Sequence, residues 1–176
     1  MKLSDKDPYL HQPVLYHESL KYLQPKLNGK YIDGTIGTGG HAEGILAESA
    51  PSGLLLGIDL DEEALIKARK RLSKYGERVV IQKGSYADLN GHLKTVGWNC
   101  VDGVLIDLGL SSMQLDTAER GFSFRKDAPL DMRFDPQSGK TAAFILNSFS
   151  ESYKGSKHHP VMESFLNKAS RFFKGK

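Results

Sequence analysis

Three stretches of the chain carry residue types at spacings that suit ligand chemistry. The first is Asp33-Gly34-Thr35-Ile36-Gly37-Thr38-Gly39-Gly40-His41, a carboxylate followed by glycines at the end of an apolar run. Glycines at a strand-to-helix turn let backbone approach a ligand that a Cβ would hold off. The second is Asp59, which closes the next apolar run twenty residues after Gly39. A carboxylate at that place can accept hydrogen bonds from both hydroxyls of a ribose. The third is Asp107, at the end of the run Val104-Leu105-Ile106, with Tyr86 standing between the second and third stretches.

The glycine turn lacks the third glycine of the dinucleotide fingerprint, which disfavours a nicotinamide dehydrogenase. An acid four residues before a G-x-G pair, here Asp33, Gly37 and Gly39, looks more like the first motif of S-adenosylmethionine methyltransferases. Taken alone, such a turn also serves simply to pack a strand against a helix. Tyr86 is placed where a ring can cover an adenine, or where an aromatic simply bounds the core. Asp107 can balance a sulfonium charge or accept a hydrogen bond from an amino group. Asp102, five residues earlier, belongs to the opposite end of the strand as a solvated start residue.

Alternating strands and helices position these groups. Lys30–Ile36, Leu54–Asp59, Val79–Ile81 and Val101–Asp107 read as four strands rich in Leu, Ile and Val. Helices are expected from Gly40 to Ala50, from Asp61 to Gly76 and, shorter, from Asp88 to Val96. The pattern predicts an α/β, Rossmann-like parallel sheet covered by helices on both faces, with about four strands and therefore incomplete. Residues 108–140 read as a long loop, followed by helices from Thr141 to Phe149 and, more weakly, from Val161 to Phe173. A core over residues 1–150 and a basic tail over 151–176 are the expected divisions.

The formal charge of +3 comes from 24 Lys and Arg against 21 Asp and Glu. Residues 154–176 hold six basic side chains against Glu163 alone, or +5, so the rest of the chain carries −2. Charge therefore gives the body no nucleic-acid signature. Cys100 is the one cysteine, which excludes an internal disulfide or a cysteine metal cluster and suits a reducing compartment. No metal site is expected. The N-terminus lacks the apolar run of a signal peptide, and no apolar stretch is long enough to span a bilayer. A cytoplasmic protein without a membrane partner is the expectation.

Beyond Asp107 the sequence becomes specific. The runs Asp107-Leu108-Gly109-Leu110-Ser111-Ser112-Met113-Gln114-Leu115-Asp116, Arg120-Gly121-Phe122-Ser123-Phe124 and Leu130-Asp131-Met132-Arg133 follow one another. Together they resemble the bacterial small-subunit ribosomal RNA methyltransferases that act on the exocyclic N4 of a cytosine. The resemblance extends from about His11-Gln12-Pro13-Val14-Leu15 to Asn147. It implies S-adenosyl-L-methionine as cofactor and small-subunit ribosomal RNA, or the 30S particle, as partner. It also implies cofactor contacts from Gly39, Gly40, His41, Asp59, Tyr86, Asp107 and Gln114, with Tyr86 standing where the family usually has Phe. Asp107 is the leading candidate for a polar catalytic role. Phe122, Phe124 and Phe134 can stack on a base or anchor the loop.

The resemblance stops where relatives continue with a helical insert and further sheet strands. A sheet ending at the fourth strand exposes an unpaired edge, which invites self-association or a partner. The alternative reading is thus a non-catalytic remnant that binds the cofactor without transferring a methyl group.

Overall fold

The computed structural model describes residues 13–148, apart from Phe124 and Lys126. Four parallel strands form one sheet in the order β3-β2-β1-β4: β1 (Lys30–Asp33), β2 (Leu54–Asp59), β3 (Val79–Lys83) and β4 (Gly103–Leu105). Tyr31 lies opposite both Leu55 of β2 and Gly103 of β4, and Leu55 lies opposite Val79 of β3. The sheet is thus the α/β, Rossmann-like arrangement expected from the alternation, with β3 and β4 at its edges among the described residues.

The helices that cover it follow from apolar periodicity and local caps. In α3 (Glu62–Leu72), Ala64, Leu65, Ala68 and Leu72 form the buried stripe. Its N-terminus is capped by Asp61, whose carboxylate accepts from the Glu63 amide at 3.1 Å. In α2 (Gly40–Glu48) the buried residues are Gly40, His41, Ala42, Gly44, Ile45 and Leu46. Together with Leu20, Tyr31, Ile36 and Leu55, these helices make a continuous core. Each buried Leu or Ile there contributes about 1.5–3 kcal/mol relative to exposure. On β2, a Cβ at Gly57 would come within 2.2 Å of the Ile36 Cδ1, so the glycine lets Ile36 lie flat on the strand.

Arg78 joins α2 to β2. Its guanidinium donates to the Leu46 carbonyl at 2.7 Å and to the Gly53 carbonyl at 2.8 Å. It thereby satisfies a carbonyl in the last turn of α2 with a cation, where the helix dipole favours one.

The structure differs from expectation in several places. The first strand stops at Asp33 instead of running to Ile36. Gly34 donates to the Leu105 carbonyl and Ile36 to the Ile58 carbonyl, so the chain beyond Asp33 turns while still anchored to both neighbouring strands. The fourth strand is likewise shorter than Val101–Asp107. A helix that sequence periodicity did not announce, α1 (Tyr16–Leu23), packs against α2 and β4. Asp102 is exposed at the start of the strand, as expected, and in addition accepts from the Lys30 amide at 2.9 Å and pairs with Lys26 at 2.9 Å. A short helix, α4 (Leu89–Thr95), leads from β3 towards β4.

The chain divides into two compact units at Leu108/Gly109. The second contains α5 (Ser112–Asp116), a single 3-10 turn (Ala118–Arg120) and α6 (Ala142–Ser148). The segment 108–140 therefore carries more order than a loop. Arg120 is buried and donates to the Arg133 carbonyl at 3.2 Å and the Phe134 carbonyl at 2.8 Å. Asp131 holds Arg133 by a fork of two hydrogen bonds at 2.9 and 2.7 Å. The amides of Ala142 and Ala143, at the start of α6, donate to the carbonyls of Asp131 and Leu130. Phe122 packs on Phe134, with ring centroids 5.5 Å apart, so both rings anchor this unit. Phe124, the helix expected from Val161 and the basic tail lie outside the described residues. Among the described residues no helix is long and apolar enough to cross a membrane, and no cluster of His, Cys, Asp or Glu could hold a metal ion.

Replacing Arg78→Ala is expected to lower the unfolding free energy by about 1.5–3 kcal/mol, the range for hydrogen bonds from a charged donor. A denaturant midpoint within error of the parent chain would show that the two carbonyl bonds do not tie α2 to β2.

Candidate active site at the strand ends of the first unit

The carboxyl ends of β1, β2 and β4 bring Asp33, Asp59 and the residues around Asp107 to one edge of the sheet. This is where ligands bind in open α/β sheets. Asp59 is the best-defined group. Its Oδ2 accepts from the Gly37 amide at 2.8 Å and its Oδ1 from the Asp61 amide at 3.0 Å. An ionised carboxylate offers about four acceptor positions, so these amides leave acceptor capacity for a ligand. Burial pushes the Asp59 pKa up, against the opposing effect of these amide bonds.

The glycines divide into two kinds. Gly37 has a positive φ of 52° and almost open space where a Cβ would stand, so its backbone is accessible. Gly39 (φ 85°) and Gly40 face protein instead. A Cβ on Gly39 would meet Leu72 at 3.2 Å, and one on Gly40 would meet Pro13 at 2.5 Å. Those two are glycines because α3 and the N-terminal segment pack closely on the turn.

Asp33 is 1% exposed and sits under the turn, with one oxygen accepting from the Thr35 amide at 3.3 Å. Desolvation pushes its pKa up to about 7, with Asp59 and Asp107 adding like-charge repulsion. Thr35 also accepts, through Oγ1, from the Asp107 amide at 2.7 Å, which ties the end of β4 to the turn. The Asp107 side chain itself is exposed.

Tyr86 begins the 3-10 turn Tyr86–Asp88 after β3 and is half-buried. A Cβ on Gly34 would come 3.1 Å from the Tyr86 Cβ, so Gly34 is what lets the tyrosine sit beside the end of β1. His41, in the first turn of α2, is buried, and its Nε2 has no hydrogen-bond partner. Burial lowers its pKa despite the field of Asp107.

The first unit thus gathers Asp33, Gly37, Gly39, Gly40, His41, Asp59, Tyr86 and Asp107. Gln114 belongs to the second unit. There it forms a reciprocal cap on α5: the Ser111 amide donates to Gln114 Oε1 at 3.1 Å and the Gln114 amide to Ser111 Oγ at 3.2 Å. Sequence reasoning placed Asp33 in the motif but did not name it as a site residue. Its burial beneath the turn, which no local signal announces, makes it a proton-holding group of the site.

Asp33 produces a definite pH dependence. Its pKa in the folded chain, about 7, lies above the ordinary 3.8. Between those values the native state holds a proton that the unfolded state has released, so stability falls as pH rises. The fall in unfolding free energy between about pH 5 and about pH 8 is expected to shrink in Asp33→Asn, read from denaturation curves at each pH. An unchanged slope would contradict the burial of an ionisable Asp33.

Comparison with known proteins bears on what this site belongs to. A small-subunit ribosomal RNA methyltransferase H from Geotalea uraniireducens is 51% identical over 142 residues, covering 81% of this chain and 46% of the relative. The protein of the same name from Syntrophus aciditrophicus is 51% identical over 141 residues, covering 80% and 45%. The chain spans about half the length of the curated relatives it matches. Among solved structures, NSun6 from Pyrococcus horikoshii superposes on 62% of this chain and 29% of its own, with 20% identity and a TM-score of 0.48. The profile of the MraW methylase family matches residues 8–154, which include every group gathered at the strand ends. With that match and half the residues shared with its relatives, the chain belongs to the MraW methylase family.

Proposed function

We propose that this chain binds S-adenosyl-L-methionine at the strand ends of its first unit and serves methyl transfer to the N4 amino group of a cytosine in small-subunit ribosomal RNA. The observation that carries the reading is the Asp59 carboxylate, fixed by two backbone amides with acceptor positions to spare. A vicinal pair of ribose hydroxyls fits those positions. Tyr86 is suited to lie against the adenine, and the exposed backbone at Gly37 to admit the cofactor close to the turn.

The cofactor, when bound, supplies a methyl group on a cationic sulfur. Asp59 and Asp107 lie at the same edge as the buried Asp33, and the field of these acidic groups favours a cation there. Asp107, exposed at the end of β4 and held by Thr35, is the group proposed to accept an N–H from the cytosine amino group. That nitrogen's lone pair is delocalised into the ring, so an acceptor that draws on its N–H and holds the nitrogen in line assists attack. The target base must be presented from a single-stranded loop or flipped from a helix.

Two measurements test the reading. Calorimetry is expected to show cofactor binding that weakens about 10- to 100-fold in Asp59→Ala, the loss appropriate to hydrogen bonds donated to a charged acceptor. Labelled methyl groups are expected to pass from the cofactor to small-subunit particles lacking the modification, at the N4 of a cytosine. Binding without transfer would instead support a second reading, a cofactor-binding module. Absence of binding would overturn both.

A further inference from the structure

The second unit leaves apolar side chains in solvent around its last described helix. α6 reads Ala-Ala-Phe-Ile-Leu-Asn-Ser over Ala142–Ser148, and none of its residues is buried. Its first amides, from Ala142 and Ala143, donate to the Asp131 and Leu130 carbonyls at 2.8 and 2.9 Å. The Phe144 amide donates to Thr141 Oγ1 at 3.1 Å. These bonds set the 130–134 stretch beside the start of the helix. Leu130, Met132 and Phe134 on that stretch, and Phe144 and Leu146 on α6, are each at least 40% exposed. Isolated helices of fewer than about 12–15 residues are marginal in water, and helical stability in proteins comes mostly from packing an apolar face. Exposed apolar groups gathered on one surface mark an interaction site.

A segment of the same chain, beyond the described residues, has the matching sequence pattern. Val161, Met162, Phe165, Leu166, Phe172 and Phe173 recur at helical spacing. At about 100° per residue they fall within about 140° of a helix circumference. Glu163, Asn167, Lys168, Arg171 and Lys174 fall on the remaining arc. Pro160 and Glu163 are signals of a helix start, and Gly175 of a helix stop.

We infer that residues 161–173 form an amphipathic helix whose apolar stripe docks on α6 and the 130–134 stretch. The connection 149–160 has twelve residues and spans about 40 Å when extended. A helix of thirteen residues is roughly 20 Å long, so the segment can return along α6. Covalent linkage makes the docking intramolecular, an advantage in effective concentration over any separate chain. The side with Lys168, Arg171 and Lys174 stays in water, so no charge is desolvated.

Hydrogen–deuterium exchange of the full chain reads this docking without any ligand. Protection is expected in both 142–148 and 161–173. Phe165→Asp, which puts a charge into the stripe, should lower protection in both segments by about tenfold or more. Phe144→Asp should release 161–173 in the same way, and Asn167→Asp, on the polar side, should change neither. Trp98, the one tryptophan, lies in the first unit, and its fluorescence should report the same unfolding midpoint in all three variants. Amides of α6 indifferent to Phe165→Asp, or unprotected amides over 161–173, would overturn the inference. Protection that grows with protein concentration, alongside a dimer in sedimentation, would also overturn it by making a second copy the occupant.

Discussion

The strand-end site depends on one carboxylate. Asp59 receives the Gly37 amide on one oxygen and the Asp61 amide on the other, so it joins the turn after β1 to the start of α3. The turn is also anchored to both neighbouring strands, because the Gly34 amide donates to the Leu105 carbonyl and the Ile36 amide to the Ile58 carbonyl. The turn is built on glycines with positive φ, a conformation that has little intrinsic preference for one geometry. Asp61 meanwhile directs its own carboxylate forward to cap α3. Hydrogen bonds to Asp59, a group with acceptor capacity left for a ligand, thus help to set the geometry of this edge.

Around that pin the fold crowds negative charge where the parallel strands end. Asp33 lies buried beneath the turn and keeps its proton up to about pH 7, while Asp107 stays in solvent. The difference follows from burial, because two aspartates at the ends of adjacent strands meet very different solvation. It also divides their roles. Asp33 supports the turn from below, and Asp107 faces outward, where an amino group could meet it. Asp33 therefore titrates near neutral pH beneath the turn.

Much of this was legible in the chain itself, for identifiable reasons. Leu54–Ile58 is apolar without interruption, so β2 and the position of Asp59 at its end followed from pattern alone. Asp61, Glu62 and Glu63 announced the start of α3 in the same way. α1 was not legible, because both of its flanking residues, Leu15 and Gln24, adopt left-handed backbone and no side chain caps its N-terminus. The order within 108–140 was hidden for a different reason. It rests on Arg120 reaching carbonyls thirteen and fourteen residues away, and no periodicity records such bonds. The burial of His41 likewise comes from Tyr16 and Pro13, far off in sequence, so a histidine at a helix start gave no sign of its enclosed nitrogen.

Hydrogen–deuterium exchange with and without S-adenosylmethionine tests the central claim most directly, because it reads where the cofactor sits without requiring catalysis. The account expects added protection at residues 33–41, 59–61 and 84–88, the segments that converge on the Asp59 edge, with the opposite ends of the strands unchanged. Protection absent from those segments at saturating cofactor, or concentrated at the Lys26–Asp102 end of the sheet, would contradict it.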